Sequence, residues 1–105
     1  MYLPKTYEDF SDKFSEIMKD YQQLGKVCRE AGPLEHKCQD LVKLGIAVGA
    51  SSRGAVMSAV RKALVSGATA EEIRHAVLLS LTTTGFPNMI AALGWVNEVL
   101  EHRER

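Results

Sequence analysis

Apolar residues recur along most of this chain at the three- and four-residue intervals of helical faces. Phe10, Phe14, Ile17, Tyr21, Leu24 and Cys28 alternate intervals of four and three, which puts them on one stripe of a single amphipathic helix. Lys13, Glu16, Lys19, Asp20 and Lys26 fall on the other faces. The helix is expected to start near Thr6, with Glu8 and Asp9 at the positive end of its dipole, and to end at Gly32-Pro33. A second helix is expected from about Leu34 to Val48, with Leu41, Leu44, Ala47 and Val48 facing inward. Gly45 either lets another backbone come close or weakens that helix. The run Gly49-Ala50-Ser51-Ser52 breaks the pattern, and Ser51 or Ser52 is a suitable N-cap for a third helix through Ser66. That helix buries Val56, Val60, Ala63 and Leu64, and Gly67 ends it as a left-handed residue.

The fourth helix has the clearest local start. Thr69-Ala70-Glu71-Glu72 is a capping box, in which the Thr69 hydroxyl accepts from the Glu72 amide while the Glu72 side chain reaches back. Ile73, Val77 and Leu81 then share a face. A fifth helix begins around Pro87 or Asn88 and runs through Trp95 to about Glu101, leaving His102 to Arg105 as a frayed tail. No stretch reads as a strand, a repeat or a linker. The expectation is one all-α domain over residues 1–105, a bundle of about five helices.

Between Ala76 and Val96 there is no charged residue, a length that could span a bilayer. Thr82 to Thr84, followed by Gly85-Phe86-Pro87-Asn88, interrupt it as a turn, and such a turn in hydrocarbon would leave backbone groups unpaired. Two helices buried nearly all round are the better reading, with no membrane partner. A chain this short has little surface of its own to cover both, which predicts a homo-oligomer whose core includes this segment.

Charge and cysteine usage narrow the function classes. Thirteen Lys and Arg balance thirteen Asp and Glu, so there is no electrostatic footprint for nucleic acid. The opening MYLPKTYEDF lacks a basic-then-apolar export pattern, and a cytoplasmic location is expected. Two cysteines make no disulfide framework and read as free thiols. Cys28 and Cys38 could instead meet across the Gly32-Pro33 turn as a redox pair, since a helical hairpin brings such positions together. His36-Lys37-Cys38 offers too few ligands for a metal, and no cofactor is expected. Met57, Met89 and Trp95 read as packing, and His75 as a surface or interface residue.

Two motifs carry a resemblance. The run Gly67-Ala68-Thr69-Ala70-Glu71-Glu72-Ile73, followed by Gly85-Phe86-Pro87-Asn88 and Ala91-Ala92-Leu93, resembles the carboxymuconolactone decarboxylase/AhpD family. That family pairs a GATxEEI helix start with a GFP turn and a small-residue helix. Val60-Arg61-Lys62-Ala63-Leu64 is similar to the family's HVRxAL segment after its first residue, and Asp40-Leu41-Val42 to its acidic helix. The resemblance is strongest over residues 34–100. It implies an AhpD-like all-α fold and homo-oligomers, often trimers or hexamers with swapped or interlocked helices.

The resemblance also implies site positions. AhpD-type thiol peroxidases carry an acidic residue, a CxxC pair and a histidine four residues later. Cysteines three apart sit on adjacent helical turns, where they can form a disulfide, and a helix N-terminus favours the thiolate. The histidine one turn on relays protons, helped by the carboxylate. These positions fall here on Asp40, Ser52, Ala55 and Ala59, with Met57 where some relatives have a second histidine. Serine and alanine can form neither a reactive anion at neutral pH nor a disulfide, so the standard peroxidase cycle is not expected. The decarboxylase branch normally lacks CxxC but keeps the histidine.

Three functions follow as expectations. One is a family member without standard peroxidase activity, with a degenerate site and a binding or scaffold role or an unidentified small-molecule role. Another is a decarboxylase-type enzyme holding a small carboxylate or lactone near Asp40, Ser52 and Arg53, with the helix N-terminus as anion site. The last is a thiol oxidoreductase using Cys28 and Cys38. For the single residues the plainer expectations are a surface or helix-pairing Asp40, a capping Ser52 and a solvated Arg53.

Overall fold

Local start and stop chemistry divides the described residues into seven helices: α1 (Lys5–Lys13), α2 (Ser15–Glu30), α3 (His36–Gly49), α4 (Arg53–Val65), α5 (Ala70–Leu78), α6 (Leu81–Thr84) and α7 (Phe86–Arg103). The structure, a computed structural model, describes residues 4–103, and no strand occurs among them. It separates into two compact units, Met1–Pro33 and Leu34–Arg105.

In the first unit the expected single helix is two. Phe14 takes φ −120° and ψ 54°, outside the helical region. Its amide still donates to the Phe10 carbonyl at 2.8 Å, and its own carbonyl accepts from Met18 at 2.9 Å. Because these bonds survive the break, the four-and-three stripe stays in phase, and periodicity alone could not register the change. The Phe10 and Phe14 rings lie 5.2 Å apart across it, and the Tyr7 hydroxyl donates to the Met18 sulfur at 3.7 Å. Of the described residues in α1 and α2, Met18 alone is buried. Much of the stripe is exposed, with Tyr21 at 67% and Leu24 at 59%.

The second unit holds the core. α3 packs chiefly on α4 and α4 on α7, while α5 lies against α3 and α7. Leu44, Val48, Val56, Val60, Ile73, Val77, Val96 and Leu100 are fully buried, each removing an apolar side chain worth about 1.5–3 kcal/mol from water. Met89 joins this core, and Met57 and Trp95 pack against it.

The expected caps are present. Ser52 caps α4, its Oγ accepting from the Ala55 amide at 3.3 Å. Gly67 ends that helix at φ 94°, where the Ala68 amide returns to the Ala63 carbonyl at 2.9 Å. The Thr69 box is closed both ways, at 3.0 and 2.9 Å.

Two details differ from the expected five helices beyond the break at Phe14. α5 stops at Leu78, and Leu81–Thr84 form a one-turn α6 before Gly85 turns at φ 95°. α7 continues through His102 to Arg103, while Glu104 and Arg105, where fraying was also expected, lie outside the described residues. The uncharged segment is half covered: Val77, Met89, Ala92 and Val96 are buried, but Leu78, Leu79, Phe86 and Ile90 are exposed within the chain. Among the described residues no helix is long and apolar enough to cross a membrane.

Candidate functional site

The residues at the motif positions have structural partners. Asp40, on α3, is 3% exposed, far more buried than a carboxylate usually is without a partner. Ser66, the residue that caps the C-terminus of α4, donates its hydroxyl to Asp40 Oδ2. The pair thus fastens the end of α4 to the side of α3. Ala59 lies in the core at 9% exposure and Ala55 is exposed. Neither side chain carries a group able to move protons or electrons.

The N-terminus of α4 is fixed by a polar cluster. Ser51 adopts φ 54°, a left-handed conformation uncommon for a residue with a side chain. Its hydroxyl donates to Asn88 Oδ1. Asn88 Nδ2 in turn donates to the Val48 carbonyl and to Thr84 Oγ1, each at 2.9 Å. One amide therefore joins the α3–α4 turn to the turn before α7, which gives the asparagine of the Gly85-Phe86-Pro87-Asn88 motif a physical role. Arg53, in the first turn of α4, pairs with Glu98 of α7 at 2.8 Å, with both side chains more than half exposed.

A concavity lies elsewhere in the second unit. A cleft of about 580 Å³ opens between α3 and the α5–α6 segment. Leu41, Val42, Gly45, Ala76 and Leu79 form its apolar wall, Cys38, Glu72 and His75 its polar end, and Ser80, Thr83 and Thr84 the other flank. A side chain added at Gly45 would meet nothing within 4 Å, so the floor of the cleft is open above that glycine.

The polar end is braced by charge. Lys37 Nζ donates to Glu72 Oε2 at 2.9 Å, while Glu72 Oε1 accepts from the Thr69 amide at 2.9 Å. The Thr69 amide and then the Lys37 ammonium hold the Glu72 carboxyl below its usual range. The same hydrogen bond, with the charge of Glu72, raises Lys37 above its ordinary value. The capping box thus does a second task, tying α5 to α3 at the mouth of the cleft.

Of the candidate residues, only Cys38 lines this cleft; Asp40, Ser52 and Arg53 do not. Cys28 belongs to the first unit and is exposed, Cys38 is half-buried, and both thiols are free. His75, expected at a surface, shares the cleft with Cys38. Among the described residues no three His, Cys, Asp or Glu side chains are grouped to hold a metal ion. Sequence reading missed Ser66, Lys37 and Asn88. The first two act through partners 26 and 35 residues away, whereas Asn88 stood in a visible motif whose role was not assigned.

Residues 15–98 match the profile described as the carboxymuconolactone decarboxylase family. Comparison with curated proteins and with solved structures returned no match.

Proposed function

The chain belongs to the carboxymuconolactone decarboxylase family, and from that premise we propose that it is a binding member of the family that does not run the thiol peroxidase cycle. The observation that carries this reading is the burial of Asp40 against Ser66. A carboxylate committed to holding two helices together is not presented to a substrate, and Ser52, at the opposite end of α4, is committed to a helix cap. With alanine at positions 55 and 59, no thiolate or imidazole stands where the relay would need one.

The binding place is the cleft between α3 and α5–α6. Its volume of about 580 Å³ suits a small molecule, since such pockets run to roughly 300–1,000 Å³. An apolar wall with charged and ionisable groups at one end fits an amphipathic ligand, its apolar body along Leu41, Val42 and Leu79 and its polar end near His75. The test is titration of the full chain with the fluorescent amphiphile 8-anilinonaphthalene-1-sulfonate. Saturable binding that Gly45→Phe abolishes is expected. Equal binding by the Gly45→Phe variant, or none at millimolar probe, refutes the cleft as the binding place.

A second reading has one observation in its favour: Cys38 and His75 line the same cleft. There the Cys38 sulfur would attack a hydroperoxide oxygen, giving a sulfenic acid and an alcohol, and a dithiol reductant would restore the thiol with loss of water. Its signature is dithiol-dependent peroxide consumption that disappears in Cys38→Ser.

A further inference from the structure

We infer that Cys38 and His75 form a covalent capture site for an alkyl α,β-unsaturated aldehyde or ketone, whose chain lies in the cleft between α3 and α5–α6. The inference rests on the reading of that cleft as the binding place and names the chemistry of its ligand. The polar groups of the cleft divide by what they already hold. Glu72 is engaged by Lys37 and by the Thr69 amide. The Ser80 hydroxyl donates to the Val77 carbonyl, and the Thr84 hydroxyl to the Ser80 carbonyl. Among the described residues the side chains of Cys38, His75 and Thr83 make no hydrogen bond or ion pair. The Lys37–Glu72 bond fixes the first turn of α3 on the first turn of α5, and Cys38 and His75 follow its two ends by one and three residues. An uncommitted nucleophile and an uncommitted acid–base group therefore share one end of a cleft walled by Leu41, Val42 and Leu79.

These features select the ligand class. A thiolate is the reactive form of cysteine, and the β-carbon of an unsaturated carbonyl is a carbon it attacks without any change of oxidation state overall. Cys28 does not line the cleft, so an oxidised Cys38 would meet no second thiol there, whereas addition needs none. The apolar wall takes the alkyl chain, each buried methylene contributing about 0.8 kcal/mol. The step balances within the adduct. A sulfur–carbon bond forms at the β-carbon, the carbon–carbon π bond breaks, and the enolate takes at its α-carbon the proton that left the thiol, carried by His75. Nothing is released, and no oxidant or reductant is consumed.

The test treats the full chain with trans-2-nonenal or with acrolein, which has the same acceptor and no chain. Borohydride then fixes the adducts, and peptide mass spectrometry gives the labelling rate at each cysteine. Cys28, exposed in the first unit, is the internal reference. The Cys38-to-Cys28 rate ratio should be at least about tenfold higher for nonenal than for acrolein. Gly45→Phe should bring the nonenal ratio down to the acrolein value, and so should Leu79→Glu, at a wall position 61% exposed. Fluorescence of Trp95, the single tryptophan, checks that the second unit stays folded. His75→Gln should slow Cys38 with both aldehydes at least about tenfold and leave Cys28 unchanged. Equal ratios for the two aldehydes, a nonenal ratio unmoved by Leu79→Glu, or a Cys38 rate unmoved by His75→Gln overturns the inference. Saturable binding of 8-anilinonaphthalene-1-sulfonate that Gly45→Phe abolishes, found together with equal ratios, overturns the capture chemistry alone; failure of both overturns the cleft as well.

Discussion

Replacing Ser66 with alanine removes one hydroxyl, and with it the bond that ties the end of α4 to Asp40. Asp40 is 3% exposed, so water does not readily take the hydroxyl's place. Hydrogen bonds to a charged group contribute about 1.5–3 kcal/mol. Alanine at a helix C-cap adds little in compensation, so a loss of about 2 kcal/mol is expected for Ser66→Ala. For a domain near 100 residues that corresponds to a fall in Tm of about 10 °C. Urea unfolding followed by Trp95 fluorescence measures it. A double-mutant cycle with Asp40→Ala isolates the pair, and a coupling of about 1.5–3 kcal/mol is expected. A Ser66→Ala variant within about 0.5 kcal/mol of the parent, with no coupling to Asp40→Ala, would refute the reasoning and return Asp40 to the list of available catalytic carboxylates.

Further outcomes follow from four single positions. Asn88→Ala loses its bonds to the Val48 carbonyl and to Ser51 and Thr84 and should cost about 2–3 kcal/mol in the same unfolding assay, with Ser51→Gly in that background restoring part of it. Gly67→Ala, at φ 94°, should destabilise by about 1–2 kcal/mol, whereas Gly45→Ala, mid-helix with open space around it, should stabilise by up to about 1 kcal/mol. Lys37→Met should move the NMR titration midpoint of Glu72 up toward its ordinary value of 4.5. The sign is that of a depressed carboxyl: its contribution to stability is present above the unfolded value and disappears as pH falls through the folded one. Lys37 behaves oppositely, contributing below 10.5 and losing that contribution as pH rises through its raised value. Both groups are more than a third exposed, so the effect on overall stability is small and weakens with salt.

What the sequence made legible was local. The Ser52 cap, the Thr69 box and the left-handed Gly67 each depend on residues within one helical turn, and all three are where their spacing placed them. The inward faces of α3, α4 and α5 were equally readable, because a 3.6-residue period encodes which side meets the core. The same period failed for α1 and α2. It located a stripe correctly but could not say whether anything covers it, nor detect a change of dihedral at Phe14 that leaves the flanking hydrogen bonds intact. The site was less legible still. Ser66 with Asp40, Lys37 with Glu72, and Ser51 with Asn88 are separated by 26, 35 and 37 residues, and no spacing rule links such partners. The cleft arises the same way, from α3 and α5 side chains that are neighbours only after folding.

The most direct measurement of the central claim is hydroperoxide consumption by the full chain with a dithiol reductant in excess, run beside the Cys28→Ser, Cys38→Ser double variant and a protein-free blank. With serine and alanines where the family's relay would stand, all three should decay at the same rate. Sustained turnover above the blank by the unaltered chain would contradict the account: loss of that turnover in the double variant would assign it to the remaining thiols, and its survival there would mean chemistry that needs no thiol.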